Sequence, residues 1–216
     1  IDLLDQPFPQ YYFQDEPEPL EIKDSFSLQG LSFRYNESSP WVLDDISFKI
    51  IKGSRIGLIG TTGSGKSTTL DLLMGLLEPT HGELMVDDIK IDDSSIRAWR
   101  QTVAHVPQSI FLADTSIAEN IAFGVVQEKI SMVQVKEAAK KAMINDFIES
   151  RPNGYSEVVG ERGVRLSGGQ RQRIGIARAL YKKANVIVFD EATSALDNET
   201  EKVVMDAIRN LGEELT

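Results

Sequence analysis

The chain has 216 residues, enough to bury the core of one domain. Its formal net charge of −10 argues against a nucleic-acid partner, which needs basic surface. With no cysteine it can form neither disulfides nor thiolate metal sites, and it has no apolar run near the roughly 18 residues of a spanning helix. The opening Ile1-Asp2-Leu3-Leu4-Asp5 carries acids where a secretory leader carries cations, so no signal peptide is expected, and the lack of a starting Met suggests a piece cut from something longer.

The charge is uneven. Residues 1–24 hold seven acids against Lys23 alone, leaving a net of only −4 for the remaining 192 residues. Four prolines in the same stretch (Pro7, Pro9, Pro17, Pro19) disfavour helix and central strand. Residues 1–24 therefore read as an acidic linker or a disordered tail, with the domain proper at 25–216.

Two alternating runs, Phe26/Leu28 and Leu31/Phe33/Tyr35, predict a strand over 26–35, and Ile46/Phe48/Ile50 predict a second after a turn at 36–40. Strand–loop–helix units follow: a strand at 55–59, a Gly-rich loop, and a helix over 66–77 stopped by Pro79 and Gly82. Further strands are expected at 83–86 and 102–106. Residues 116–151 read as mainly helical, with a capping box at Ser131-x-x-Gln134 and more helix at 144–149. A helix after Gly168-Gly169, a buried strand at 186–189 and a helix over 199–211 complete the order. Strands alternating with helices predict an α/β fold with a mostly parallel sheet.

Three motifs carry chemistry. Gly60-Thr61-Thr62-Gly63-Ser64-Gly65-Lys66-Ser67-Thr68 matches the phosphate loop G-x-x-x-x-G-K-[ST] between a strand and a helix. Its glycines let backbone N–H groups converge on phosphate, and the helix start favours an anion. Lys66 is placed to bridge the outer phosphates and Ser67 to ligate Mg2+. The run Val186-Ile187-Val188-Phe189 delivers Asp190 and Glu191 at its carboxyl end, where ligands bind in such sheets. Asp190 suits Mg2+, and Glu191 suits the attacking water. Third, Leu166-Ser167-Gly168-Gly169-Gln170 opens a helix and makes a second cluster of exposed N–H groups.

That third motif, continued by Arg171-Gln172-Arg173, resembles the signature sequence of ATP-binding-cassette ATPases, and the resemblance covers nearly the whole chain. It implies a P-loop NTPase core with an antiparallel β subdomain and an inserted helical subdomain at about 109–165. Tyr35 resembles the family's adenine-stacking aromatic, and Gln108 the glutamine that senses Mg2+ and links to the membrane domain. Ser194-Ala195-Leu196-Asp197 resembles the loop that reaches a partner cassette. Gly160-Glu161-Arg162-Gly163 is similar to the motif that exporters place before the signature. The resemblance further implies ATP and Mg2+ as cofactors and a head-to-tail dimer in which Ser167, Gly168, Gly169 and Gln170 face the partner's nucleotide. It also implies a membrane domain fused ahead of the chain and a place on the cytoplasmic face of a membrane.

One feature departs from the family. Its γ-phosphate histidine lies beyond the catalytic glutamate, whereas His81 and His105 both lie upstream. In such folds the next strand inserts between the carboxylate strand and the one before the phosphate loop. Segments 55–59 and 186–189 are therefore expected about two strand spacings apart, roughly 9–10 Å, with a slot between them. The expected activity is MgATP hydrolysis driving an exporter. The alternatives are a nucleotide-dependent dimerisation switch that does not turn over and a non-transport cassette ATPase.

Overall fold

The computed structural model describes residues 17–190, 198–209, 212, 215 and 216. The first sheet has four strands in the order β2-β1-β3-β4, with β1 at Ser25–Phe33, β2 at Leu43–Ile51, β3 at His81–Val86 and β4 at Ile89–Lys90. All its pairings are antiparallel, with Phe26 opposite Ile50 on one side and Val86 on the other. Phe26, Leu28, Leu31 and Phe33 are all buried. The alternation slips after Leu28, where Gly30 (φ 57°) makes an irregularity that returns Leu31 to the core.

The β3–β4 turn places Asp87 and Asp88 at positive φ (46° and 66°), a hand that short hairpin turns need and Asp tolerates. From there the Asp87 carboxylate accepts the backbone N–H groups of Lys23 (2.6 Å), Asp24 (2.8 Å) and Ser25 (2.9 Å). Desolvation, the largest single influence, favours the neutral acid, but the three bonds and the Lys23 charge together outweigh it and hold the carboxyl below its usual value. A depressed folded value means that the clamp stabilises fully above the ordinary aspartate value of 3.8 and fades as pH falls through the folded value. Protection of the Lys23–Ser25 amides from hydrogen exchange, corrected for intrinsic rate, is expected to decline below about pH 4 and to be lost at every pH in Asp87→Asn. Protection that ignores both changes would exclude the clamp.

The parallel element is β5 (Val103–Val106) paired with β6 (Val186–Phe189), Val106 opposite Phe189. Its pleat divides two cores. Val103, Val186 and Val188 join the first sheet, α1 (Lys66–Leu73) and α2 (Ile96–Thr102). Ala104, Val106 and Ile187 join α3 (Ile117–Ile121), α4 (Met132–Lys141), α5 (Asn145–Glu149) and α6 (Gly168–Tyr181). Burial on both faces explains the near-continuous apolar run in β6. The last helix, α7 (Asn198–Arg209), buries Val204 and Ala207, and no described helix is long and apolar enough to cross a membrane.

Helix α1 stops at Leu73, four residues short of the expected 77. Gly75 (φ 69°) accepts the left-handed position, with its N–H on Leu72 O and the Leu76 N–H on Asp71 O, the paired bonds of a Schellman stop. Fully buried Trp99 then takes Leu73 O (2.8 Å), and Arg100 takes Gly75 O. Tertiary donors from α2 satisfy the carbonyls that another helical turn would have used.

Two other expectations need correction. Residues 55–59 form no strand ladder among the described residues. The expected parallel core sheet and antiparallel subdomain are both present, the former among the described residues as the β5–β6 pair. The Ser131 hydroxyl does accept Gln134 N–H (3.4 Å), but only that half of a capping box forms. Complete boxes lie at Ser116/Glu119 and Ser167/Gln170.

Candidate functional site

The phosphate loop, residues 60–65, leads from segment 55–59 into α1. Gly63 (φ 82°) and Gly65 (φ 86°) hold backbone positions that side chains resist. At Gly60 a Cβ would stand 2.6 Å from Ser64 Oγ, so the loop closes on itself there. Lys66 secures that closure, its Nζ donating to Gly60 O (2.9 Å) and Thr61 O (2.9 Å). Gly65 caps the helix without a side chain, so no cap oxygen covers the first N–H groups of α1. A curled loop, a lysine and an open helix start together suit a phosphate chain.

Tyr35 lies just past β1, 63% exposed, its ring edge-on to Phe33 at 5.0 Å and its hydroxyl 3.3 Å from Thr68 Oγ1 in α1. It is no core aromatic, and it stands exposed beside the phosphate-loop helix. Asp190 follows β6, its N–H on Val106 O (3.1 Å). Gln108 leaves the carboxyl end of β5, two residues past Val106 and on the same edge as Asp190. Lys66 and Asp190 line one cleft of about 390 Å³ between segment 54–58 and β6. A larger cavity of about 450 Å³ beside Gly75 and Arg100 contains neither residue.

The same cleft is the expected slot. No ladder joins segment 55–59 to β6, and Ile56, Leu58 and Ile59 are exposed, Ile59 to 96%. Among the described residues, Thr216 bonds to that edge of β6, its N–H on Asn185 O (3.0 Å) and its carbonyl taking Ile187 N–H (2.9 Å), the spacing of a parallel pair.

The third motif lies elsewhere. Ser167 Oγ accepts Gln170 N–H (3.3 Å) while Gln170 Oε1 accepts Ser167 N–H (2.8 Å), leaving Gly168 and Gly169 in the first turn of α6. None of these residues lines the cleft of Lys66 and Asp190. Gly160-Glu161-Arg162-Gly163 forms a tight turn with Gly160, Arg162 and Gly163 at positive φ. A Cβ on Gly163 would press on Leu112 at 2.7 Å, so this turn ties the segment after Gln108 to the start of α6. His81 is exposed beside Trp41 (5.7 Å between rings), and His105 is exposed on β5. Glu191, Ser194, Ala195, Leu196 and Asp197 lie outside the described residues.

Sequence reasoning passed over Arg178. It is largely buried, donates to Asn120 O (3.0 Å) and Phe111 O (3.0 Å), and stacks on Phe123 at 4.5 Å. It thereby fixes the half-exposed, edge-to-face pair Phe111–Phe123, 6.2 Å apart. Only the helical phase of α6 toward α3 hinted at this.

A phosphate loop facing a strand-end carboxylate across a cleft defines a P-loop nucleotide-binding domain. A family model described as ABC transporter matches residues 43–194. The chain belongs to the ATP-binding-cassette (ABC) transporter family. It is 42% identical over 193 residues to an ATP-dependent lipid A-core flippase of Chromohalobacter salexigens, covering 89% of this chain and 33% of the relative. It is 44% identical over 209 residues to a beta-(1→2)glucan export ATP-binding/permease protein of Rhizobium meliloti, covering 94% and 35%. A solved bacterial Atm1-family ABC exporter with ATP bound superposes with a TM-score of 0.81 at 36% identity, covering 92% of this chain and 35% of that one. The chain thus spans about a third of the length of these proteins.

Proposed function

We propose that this domain hydrolyses MgATP as the motor of a membrane exporter, working as one of two cassettes. The shared cleft of Lys66 and Asp190 carries the proposal, because it sets a phosphate-binding ammonium opposite a strand-end carboxylate. Tyr35 stacks on the base, loop 60–65 wraps the phosphates, and Lys66 neutralises charge on the outer ones. Ser67, Gln108 and Asp190 offer a hydroxyl, an amide carbonyl and a carboxylate, all oxygen donors suited to Mg2+. When bound there, Mg2+ supplies charge neutralisation at the phosphates being separated. Glu191 orients the attacking water and accepts its proton.

Residues 1–24 serve as the acidic linker from a membrane domain that precedes this one, and 25–216 as the cassette, with its helical subdomain at about 109–165 on the cytoplasmic face. The membrane domain docks where Arg178 holds Phe111 and Phe123 exposed. A further strand of the longer polypeptide pairs in the slot between 55–59 and β6. Lys66→Ala in the whole transporter is expected to weaken ATP binding by about 10- to 100-fold, the range for a lost charged hydrogen bond. Titration calorimetry showing unchanged affinity would rule out the phosphate-loop role.

A further inference from the structure

Gln172, on α6, is 4% exposed, and its Nε2 finds no hydrogen-bond partner. A buried amide left unpaired carries its full desolvation cost, so such a group in a native core needs a reason.

Its height on the sheet supplies one. Lys182, just past the end of α6, reaches the start of β5, Nζ donating to Val103 O (2.7 Å). Seven residues back along the helix, a Cβ on Gly175 would lie 3.5 Å from Val106 at the end of β5. Seven helical residues and three strand residues both span about 10 Å, so helix and strand run side by side in opposite directions. Gln172 lies one turn further, about 4.5 Å beyond Val106 and its partner Phe189. That height falls between Asp190, one residue past the end of β6, and Gln108, two residues past the end of β5. Gly175 and Ile176 continue the same side of α6, against Ile110 and the helical core.

We propose that Gln172 is a positioning residue for hydrolysis. In the nucleotide-loaded protein its N–H groups donate to oxygen atoms at the carboxyl ends of β5 and β6, holding that edge in the geometry for water attack. It thereby ties the signature helix to the chemistry. This rests on the function proposed above.

The test uses the full-length transporter in lipid. Gln172→Met keeps the length and removes the donors. It is expected to lower kcat for ATP about ten-fold or more while KM for ATP stays within about two-fold. Because an unpaired amide is removed, the melting midpoint of the nucleotide-free protein should hold or rise. Gln172→Glu, which keeps an acceptor but has no N–H, should lose turnover alike. Wild-type kcat in either variant overturns the proposal, as does a melting midpoint of the Met variant that falls together with kcat. Wild type and Lys66→Ala run alongside. Hydrolysis that does not depend on Lys66 would fault the proposed function itself, whatever Gln172 does.

Discussion

Glu191→Gln is expected to leave ATP affinity nearly intact and to cut steady-state turnover by about 100-fold or more, the loss typical of a missing general base. The substitution keeps size and hydrogen bonding but cannot take a proton from water. The expectation follows from what β6 fixes. Its backbone is pinned to β5 in parallel register up to Phe189, and the Asp190 N–H on Val106 O extends that register one residue further. Glu191 is next in the chain after a carboxylate lining the Lys66 cleft. In the proposed function binding rests on loop 60–65 and Lys66, which the substitution leaves untouched. Binding and hydrolysis should therefore separate, unlike in Lys66→Ala, where affinity falls first. Single-turnover hydrolysis and nucleotide trapping in the full-length transporter decide the matter. Turnover near wild type would remove Glu191 from the role, whereas loss of ATP affinity would make it a binding residue.

What the sequence revealed and what it hid have a common physical cause. The phosphate loop, the β6 run ending at Asp190, and Ser167 as a helix cap are local, each needing only a few adjacent residues. Alternation in β1 and β2 was readable for the same reason. Segment 55–59 has strand composition but no ladder, because a strand exists only with a neighbour, and pairing is a property of the assembled sheet. The end of α1 moved because Trp99 and Arg100, more than twenty residues on, take the helix-end carbonyls. Asp87 clamps amides over sixty residues earlier in the chain. Gln172 reads as one polar letter of a motif until its burial and its unpaired amide are known.

The second large effect concerns the signature. Ser167→Arg in one cassette of a mixed dimer is expected to abolish trapping at the site built on the other cassette's Lys66 and to spare the site on its own. The expectation follows from the proposed pair of cassettes and from what the β5–β6 pair separates. Leu72 and Leu73 of α1 pack in the core shared with Val103, Val186 and Val188. Ile174, Ile176 and Ala177 of α6 pack in the core shared with Ala104, Val106 and Ile187 on the opposite face. The phosphate loop and the signature thus begin helices on opposite sides of one sheet, and the first turn of α6 stays outside the Lys66 cleft. In the proposed dimer, the phosphate that meets this helix start is the one held by the other cassette. Arginine there loses the reciprocal cap with Gln170 and puts a long side chain across those donors. The lost cap alone costs about 1 kcal/mol, too little to unfold the domain. Ser167→Ala, which loses the cap without the bulk, should therefore retain substantial trapping and serves as the control. The readout is trapped nucleotide counted separately at each site of a covalently linked heterodimer. Loss at the mutated chain's own loop, with the partner's site intact, would contradict head-to-tail assembly.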